Sequence, residues 1–290
     1  MFSLLETGVF CRYNKHSLSG VRLYQTLHTS QVDSGSNVFL HGLLGNGKNL
    51  KTLAKRFGGG ILVDLRGHGQ SISTARTGRN TFEECAKDVL ISTQDYQVST
   101  IIGHSFGGRV ALECAMQHAN SESNKIQTTW LLDTVPGQAH DSVEQVLHAV
   151  EAVGDLGQYK TRAQVSKLLE EQNLDKSLSQ WLTSSMTTDS NGYMMWGFDV
   201  DMVKDILPHF GTQDFFGKLR HLVLSEDTVS RVHLVRGGKN SAWSIDTLSQ
   251  LHELSLNSDR FNLHVLPNAG HWVHVDDLPG LSKIWKQFNS

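Results

Sequence analysis

The feature that most constrains this chain is the stretch STIIGHSFGGRV, residues 99–110. A β-branched apolar run is followed by Gly-His-Ser-Phe-Gly-Gly and then by the helix-like segment RVALECAMQHA. This order predicts a strand, a tight turn and a helix, with Ser105 at the apex of the turn. A serine there is exposed and close to a helix N-terminus, which suits a nucleophile. Because any α/β sheet can contain a glycine-rich connection, the rest of the chain must decide whether Ser105 is catalytic.

Strand-like and helix-like segments alternate along most of the chain. The helical pattern at 81–93 begins with Thr81 and Glu84, which is a capping-box signature. Predicted strands lie within residues 21–28, 37–42, 59–71, 99–103, 128–137, 231–238 and 261–267. The first of them alternates like an edge strand, and the alternation as a whole predicts a doubly wound, mostly parallel α/β sheet.

The alternation stops after Gly137 and resumes near residue 231. Between about 140 and 228 the patterns are helical, with no clear strand. We therefore expect an α/β core formed by residues 19–139 and 229–290, and a helical cap formed by residues 140–228 over the carboxyl edge of the sheet. The Met and Trp side chains of this cap either line an acyl pocket or form the cap's own core.

Length and composition restrict the class of protein. The 290 residues are close to the size at which one hydrophobic core stops growing. A net charge of −3 gives no electrostatic footprint for nucleic acid. No apolar run reaches the roughly 18–20 residues that a membrane-spanning helix needs. The three cysteines form no C-x-x-C pair and indicate ordinary thiols in a reducing compartment.

The first 18 residues allow two interpretations. They contain Arg12, Lys15 and serines, with Glu6 as the single acidic residue, which is compatible with a short mitochondrial presequence. They are equally compatible with an irregular start before the first strand. The expected location is therefore cytoplasmic or mitochondrial.

Four motifs occur together in this chain: HGLLGNG (41–47), DLRGHGQS (64–71), GHSFGG (103–108) and NAGHWVH (268–274). In this order they resemble the serine-type α/β hydrolases over nearly the whole chain. The first, third and fourth motifs are similar to those of esterases related to α/β-hydrolase domain-containing protein 11 and its bacterial counterparts. The resemblance implies an α/β-hydrolase fold with a small helical cap, and hydrolysis of acyl esters or thioesters without a metal or an organic cofactor.

Catalysis of this kind requires a nucleophile, a base and an acid that orients the base. Ser105 is the candidate nucleophile. His271 is the candidate base, because it lies in the final loop of the order Ser…Asp…His. The other histidines of the motifs, His41, His68, His104 and His274, are expected to pack or to brace loops.

The acid is where the chain departs from the commonest pattern. Most members of the resembled family place it after the penultimate strand, but residues 239–243 here read Lys-Asn-Ser-Ala-Trp and contain no carboxylate. Asp133, which closes the apolar run 128–132, is the favoured candidate, and the related esterases have an aspartate in the matching position. Asp246 and Asp201 remain alternatives, although Asp246 in the first turn of a helix also suits the helix dipole.

The backbone N–H groups of Leu43 and Phe106 are the expected oxyanion hole, the pair of donors that stabilises the developing negative oxygen. Asp64 and Arg66 are expected to form an ion pair that braces their loop. Asp276 and Asp277 are interpreted as N-terminal caps of a helix that begins near residue 278, rather than as part of an acyltransferase pattern H-x-x-x-x-D.

The leading functional prediction is a serine hydrolase that cleaves carboxylic esters or thioesters through an acyl-enzyme. Its partner would be a small acyl substrate, with no nucleic acid and no membrane span, and the oligomeric state is left open. One alternative is a cofactor-free lyase or C–C bond hydrolase, in which Arg109 or Arg236 would bind a dicarboxylate. Another is a ligand receptor of the same fold with little turnover.

Overall fold

Seven of the described strands form one sheet in the computed structural model, which describes residues 21–27, 36–76, 78–119, 126–138, 141–154 and 156–289. The candidate presequence, residues 1–18, lies outside these ranges. The strands are β1 (Gln25–Leu27), β2 (Ser36–Leu40), β3 (Ile61–Val63), β4 (Val98–His104), β5 (Thr128–Leu132), β6 (Thr187–Thr188), β7 (Met194–Met195), β8 (Arg231–Gly237) and β9 (Phe261–Leu266).

The sheet has the order β1-β3-β2-β4-β5-β8-β9. All neighbours pair in parallel except β1, which runs antiparallel to β3 at the edge. The predicted α/β-hydrolase fold, with a doubly wound, mostly parallel sheet, is therefore confirmed. Parallel pairing brings the carboxyl ends of β4, β5, β8 and β9 to one edge, where ligands of open α/β sheets bind.

Helices cover both faces of this sheet. The α-helices are α1 (Lys51–Arg56), α2 (Phe82–Thr93), α3 (Phe106–Ala119), α4 (Asp141–Val153), α5 (Arg162–Glu171), α6 (Lys176–Ser184), α7 (Val200–Thr212), α8 (Phe215–Leu224), α9 (Ile245–Asn257), α10 (Val273–Asp276) and α11 (Leu278–Phe288). Side chains of α1 and α11 form one buried cluster with the sheet, and those of α2, α3, α8 and α9 belong to the cluster on the opposite face. Such two-sided coverage explains why the strands are almost continuously apolar.

Residues 140–228, which lie between β5 and β8 and which we call the insertion, contain α4 to α8. They also contain an antiparallel ribbon of β6 and β7, where the sequence showed no clear strand. Each strand of the ribbon has only two residues, too few for an alternating pattern to be visible. The last helix of the insertion, α8, packs against α3 and β8.

The insertion is tied to the core by backbone hydrogen bonds on either side of His68. Gly69 N–H donates to the Gly197 carbonyl over 2.7 Å, and Asp199 N–H donates to the Gly67 carbonyl over 2.8 Å. The loop after β3 therefore pairs like a short strand with the insertion. Within the described part of the chain, none of the helices combines the length and apolar character required to cross a membrane.

Candidate active site

Ser105 occupies a strained turn directly after β4. Its φ is +53°, a conformation that side chains other than glycine adopt rarely, and its side chain is half-buried. The two glycines on either side permit the turn because the backbone is crowded. A Cβ on Gly103 would lie 2.1 Å from the Gly107 carbonyl oxygen, and one on Gly107 would lie 2.3 Å from the Leu40 carbonyl oxygen. The sequence thus folds locally into a tight strand–turn–helix connection with Ser105 at its apex, as predicted.

Asp133 and His271 meet at the carboxyl edge of the sheet. His271 Nδ1–H donates to Asp133 Oδ2 over 2.7 Å, and the Asp133 side chain is fully buried while His271 is partly exposed. Asp133 follows β5 in a left-handed conformation with φ +45°, and its own N–H donates to the Val235 carbonyl. A hydrogen bond from Nδ1–H leaves Nε2 of the neutral imidazole free to accept a proton.

Three donors in addition to His271 hold the Asp133 carboxylate. Gly237 N–H and Trp243 Nε1–H donate to Oδ1 over 2.8 and 2.9 Å, and the Asn240 amide donates to Oδ2. A buried carboxylate is stable only when such donors replace its water. The loop after β8, which lacks a carboxylate, thus supplies donors to the carboxylate of the neighbouring strand. The sequence analysis did not predict that Asn240 and Trp243 donate to Asp133. The available signal was that their loop contains no acid of its own.

Two further contacts fix the loop that carries His271. His104 Nε2–H donates to the His271 carbonyl over 2.9 Å, so the residue before Ser105 is joined to the candidate base. Gly270 N–H donates to Asp276 Oδ2 over 2.8 Å. Asp277 caps α11, as expected, by accepting from Gly280 N–H, whereas the expectation that Asp276 also caps this helix is wrong. Asp276 instead braces the histidine loop, because the short helix α10 turns its carboxylate back.

The N–H groups of Leu43 and Phe106 donate no hydrogen bond to any described residue. Phe106 begins α3, where the first N–H groups have no partner within the helix. Leu44, next to Leu43, has φ +67°, and its N–H donates to His68 Nε2 over 3.1 Å. His41 Nε2 accepts from Leu65 N–H over 2.9 Å. Two buried imidazoles therefore hold the loop that carries Leu43.

Both of these imidazoles must be neutral to accept a hydrogen bond through Nε2. Their Nδ1 atoms lie 2.8 Å from backbone carbonyls, which fixes the tautomer with the proton on Nδ1. Burial lowers the pKa of His41 to about 4 and the pKa of His68 to about 3. The expectation that these histidines brace loops agrees with these contacts.

The expected ion pair between Asp64 and Arg66 does not form. Arg66 Nε lies 2.7 Å from Asp88 Oδ2, and both side chains are buried. Asp64 instead accepts the N–H groups of Gly47 and Gln70, over 2.7 and 2.9 Å. The sequence did not indicate the contact between Arg66 and Asp88, because Asp88 lies on α2 and only the fold brings it to Arg66.

The remaining candidates lie away from the His271 contact. Asp246 and Asp201 stand exposed in the first turns of α9 and α7. Arg109 is buried, and its guanidinium donates to the Phe210, Val135 and Gly137 carbonyls. It therefore joins α3 to the insertion instead of facing a ligand. Arg236 donates weakly to the Gly237 carbonyl over 3.5 Å. No cluster of metal-binding side chains is found among the residues that the structure describes.

Comparisons with known proteins agree with this fold. A model described as the alpha/beta hydrolase family matches residues 38–279. The sn-1-specific diacylglycerol lipase ABHD11 of Danio rerio is 26% identical over 89% of this chain and 79% of its own length. Esterase YbfF of Escherichia coli is 25% identical over 85% of this chain and 90% of its own length. A marine microorganism esterase, 19% identical, superposes with a TM-score of 0.75 over 93% of this chain and 100% of its own.

Proposed function

The chain belongs to the alpha/beta hydrolase family, and from that premise we propose that it hydrolyses carboxylic esters or thioesters through an acyl-enzyme on Ser105. The observation that carries the proposal is the 2.7 Å contact between His271 Nδ1 and the buried Asp133 carboxylate, in a loop that contacts His104, the residue before Ser105. The names of the relatives, an sn-1-specific diacylglycerol lipase and an esterase, support an ester substrate.

In the acylation step, Ser105 Oγ attacks the carbonyl carbon of the ester or thioester. His271 Nε2 takes the proton of the Ser105 hydroxyl. Asp133 stabilises the imidazolium that forms, and its donors keep the carboxylate in place. The carbonyl oxygen becomes negative and accepts hydrogen bonds from the free N–H groups of Leu43 and Phe106. The tetrahedral intermediate then expels the alcohol or thiol, which takes the proton from His271.

Deacylation reverses the roles. His271 removes a proton from water, the resulting nucleophile attacks the acyl-Ser105 carbonyl, and Ser105 recovers its proton as the carboxylic acid leaves. Every proton passes through one imidazole, so the proposed chemistry needs no redox group and no metal.

We also propose that the insertion, residues 140–228, acts as a cap over this edge of the sheet, and that residues 19–139 and 229–290 form the catalytic core.

Fluorophosphonate labelling tests the proposal directly. The protein is incubated with the probe, its intact mass is measured, and the modified peptide is mapped. We expect a single adduct on the peptide that contains Ser105 and none on the Ser105→Ala variant. If a control serine hydrolase is labelled under the same conditions and this protein is not, the hydrolase proposal fails and the ligand-receptor alternative replaces it.

A further inference from the structure

A cleft of about 790 Å³ opens between the insertion and the core, beside the loop that carries Leu43. This volume is in the usual range for small-molecule sites. Its core wall includes Asn46, Lys48 and Gln70, which follow β2 and β3. Its other wall belongs to the start of α5, the end of α6 and the ribbon of β6 and β7.

The charges around this cleft are unbalanced. Lys48, Lys160 and Arg162 line it, and none of them forms an ion pair with a described residue. Arg162 donates one N–H to the Met186 carbonyl, so the other N–H groups of its guanidinium can donate to a ligand. Among the described residues of the lining, Asp64 is the only acid, and its two oxygens already accept backbone N–H groups.

Helix α6 connects this cleft with the candidate active site. The ring of Trp181 lies 5.8 Å from the ring of Trp272, the residue after His271. Ser184, three residues further along α6, lines the cleft, and three residues of helix correspond to about 4.5 Å. A ligand that reaches from His271 to the cleft would therefore pass the Trp272 ring, 6.1 Å from the His271 ring, then the Trp181 ring, and then about one turn of α6.

We propose that this cleft binds a phosphate group carried by the leaving group of the substrate, an inference that rests on the proposed hydrolase function. A phosphate monoester presents two charges and several acceptors, which match the ammonium groups of Lys48 and Lys160 and the fork of Arg162. The phosphate belongs to the alcohol or thiol side because His271 protonates the leaving atom and α6 leads from the His271 loop to the cleft. Hydrolysis breaks the acyl C–O or C–S bond and leaves the phosphate ester intact.

Two pairs of substrates test the proposal, each differing only in the phosphate. One pair is 1-butyrylglycerol and 1-butyrylglycerol 3-phosphate, and the other is S-butyrylpantetheine and its 4′-phosphate. We expect kcat/KM to be about tenfold higher or more for the phosphorylated member of at least one pair, mainly through KM. The pair with the larger preference identifies the kind of leaving group.

The triple variant Lys48→Gln, Lys160→Gln and Arg162→Gln removes the charges of the cleft. It should abolish the preference for phosphate and leave the rates with the neutral substrates within about twofold, because none of these side chains contacts the reacting atoms. The matched control is Arg56→Gln, Lys283→Gln and Lys286→Gln, which removes three charges from a separate concavity between α1 and α11. This control should keep the preference.

Equal rates within both pairs, or equal losses in the cleft variant and its control, would overturn the proposal. A preference for monomethyl succinate over methyl butyrate that disappears in the cleft variant would place the anion on the acyl side and also overturn it. If no substrate is turned over and Ser105 is unlabelled, the hydrolase function fails. Calorimetry with glycerol 3-phosphate then decides separately whether the cleft binds phosphate, since equal weak heats for wild type and the cleft variant would show that it does not.

Discussion

Single residues determine how firmly the candidate base is held. Asp133 receives donors from the β8 loop and from His271, so its carboxylate is fixed before any substrate arrives. The loop after β8 contains no carboxylate, and its Asn240 amide donates to the acid of the neighbouring strand. One negative charge is therefore shared by two loops, and each loop depends on the other for its geometry.

Replacing this carboxylate should disable catalysis without unfolding the protein. In Asp133→Asn, an amide NH₂ would face His271 and favour the wrong tautomer, so we expect kcat to fall by about 10³- to 10⁴-fold. The rate of hydrolysis of a short-chain ester measures the effect, with circular dichroism to confirm folding. Asp246→Asn is the matched control, because Asp246 lies exposed on α9. Equal losses in the two variants would remove Asp133 from the proposed mechanism.

At the scale of elements, glycine sets how closely α3 approaches the sheet. A Cβ on Gly107 would collide with backbone, at 2.3 Å from the Leu40 carbonyl oxygen and 2.5 Å from the His41 carbonyl oxygen. Backbone atoms of a central strand cannot move aside as a surface side chain can. Gly211, in α7, differs because its added Cβ would lie 3.0 Å from the Cγ atom of Gln138, which is exposed.

The same substitution should therefore be costly in α3 and nearly neutral in α7. We expect Gly107→Ala to lower the free energy of unfolding by about 2 kcal/mol or more through overpacking. Gly211→Ala should stay within about 1 kcal/mol of wild type, because alanine favours helix and Gln138 can turn away. Urea denaturation followed by circular dichroism measures both. A Gly107→Ala protein as stable as wild type would show that α3 does not pack as tightly as the structure indicates.

Elements were predictable from the sequence where the pattern was long. The strands β4, β5, β8 and β9 and the helix that Thr81 caps follow from apolar runs and local capping, because these depend on neighbouring residues. The ribbon of β6 and β7 was missed because two-residue strands have no periodicity. The contact between Arg66 and Asp88, and the donors from Asn240 and Trp243, were missed because they join residues that only the tertiary fold brings together.

For the whole molecule, buried histidines couple folding to pH. Burial lowers the pKa of several imidazoles, to about 4 for His41, His264 and His274, to about 3 for His68 and His233, and well below 6.5 for His104. The unfolded chain binds these protons near pH 6.5, whereas the folded chain binds them only in more acid solution. Unfolding below pH 6.5 therefore takes up protons, and acid favours the unfolded state.

Stability should consequently be greatest above pH 6.5 and should fall as the pH decreases towards 4. At pH 5.5 each fully buried neutral histidine lowers the free energy of unfolding by up to about 1.4 kcal/mol relative to neutral pH. Urea denaturation at pH 7.5, 6.5 and 5.5 measures the slope. Replacing His233 by glutamine should reduce this slope without touching the candidate active site. A free energy of unfolding that is unchanged between pH 7.5 and 5.5 would contradict the neutral, buried state of these side chains.

The short backbone pairing between residues 67–69 and 197–199 has a mechanical consequence. His68, at its centre, is the residue that holds the Leu44 N–H, so the insertion and the loop that carries Leu43 are joined through one imidazole. Any lifting of the insertion on this side would pull His68 away and loosen that loop. The insertion is therefore held against the core on this side, and its position there is coupled to the geometry of the loop that carries Leu43.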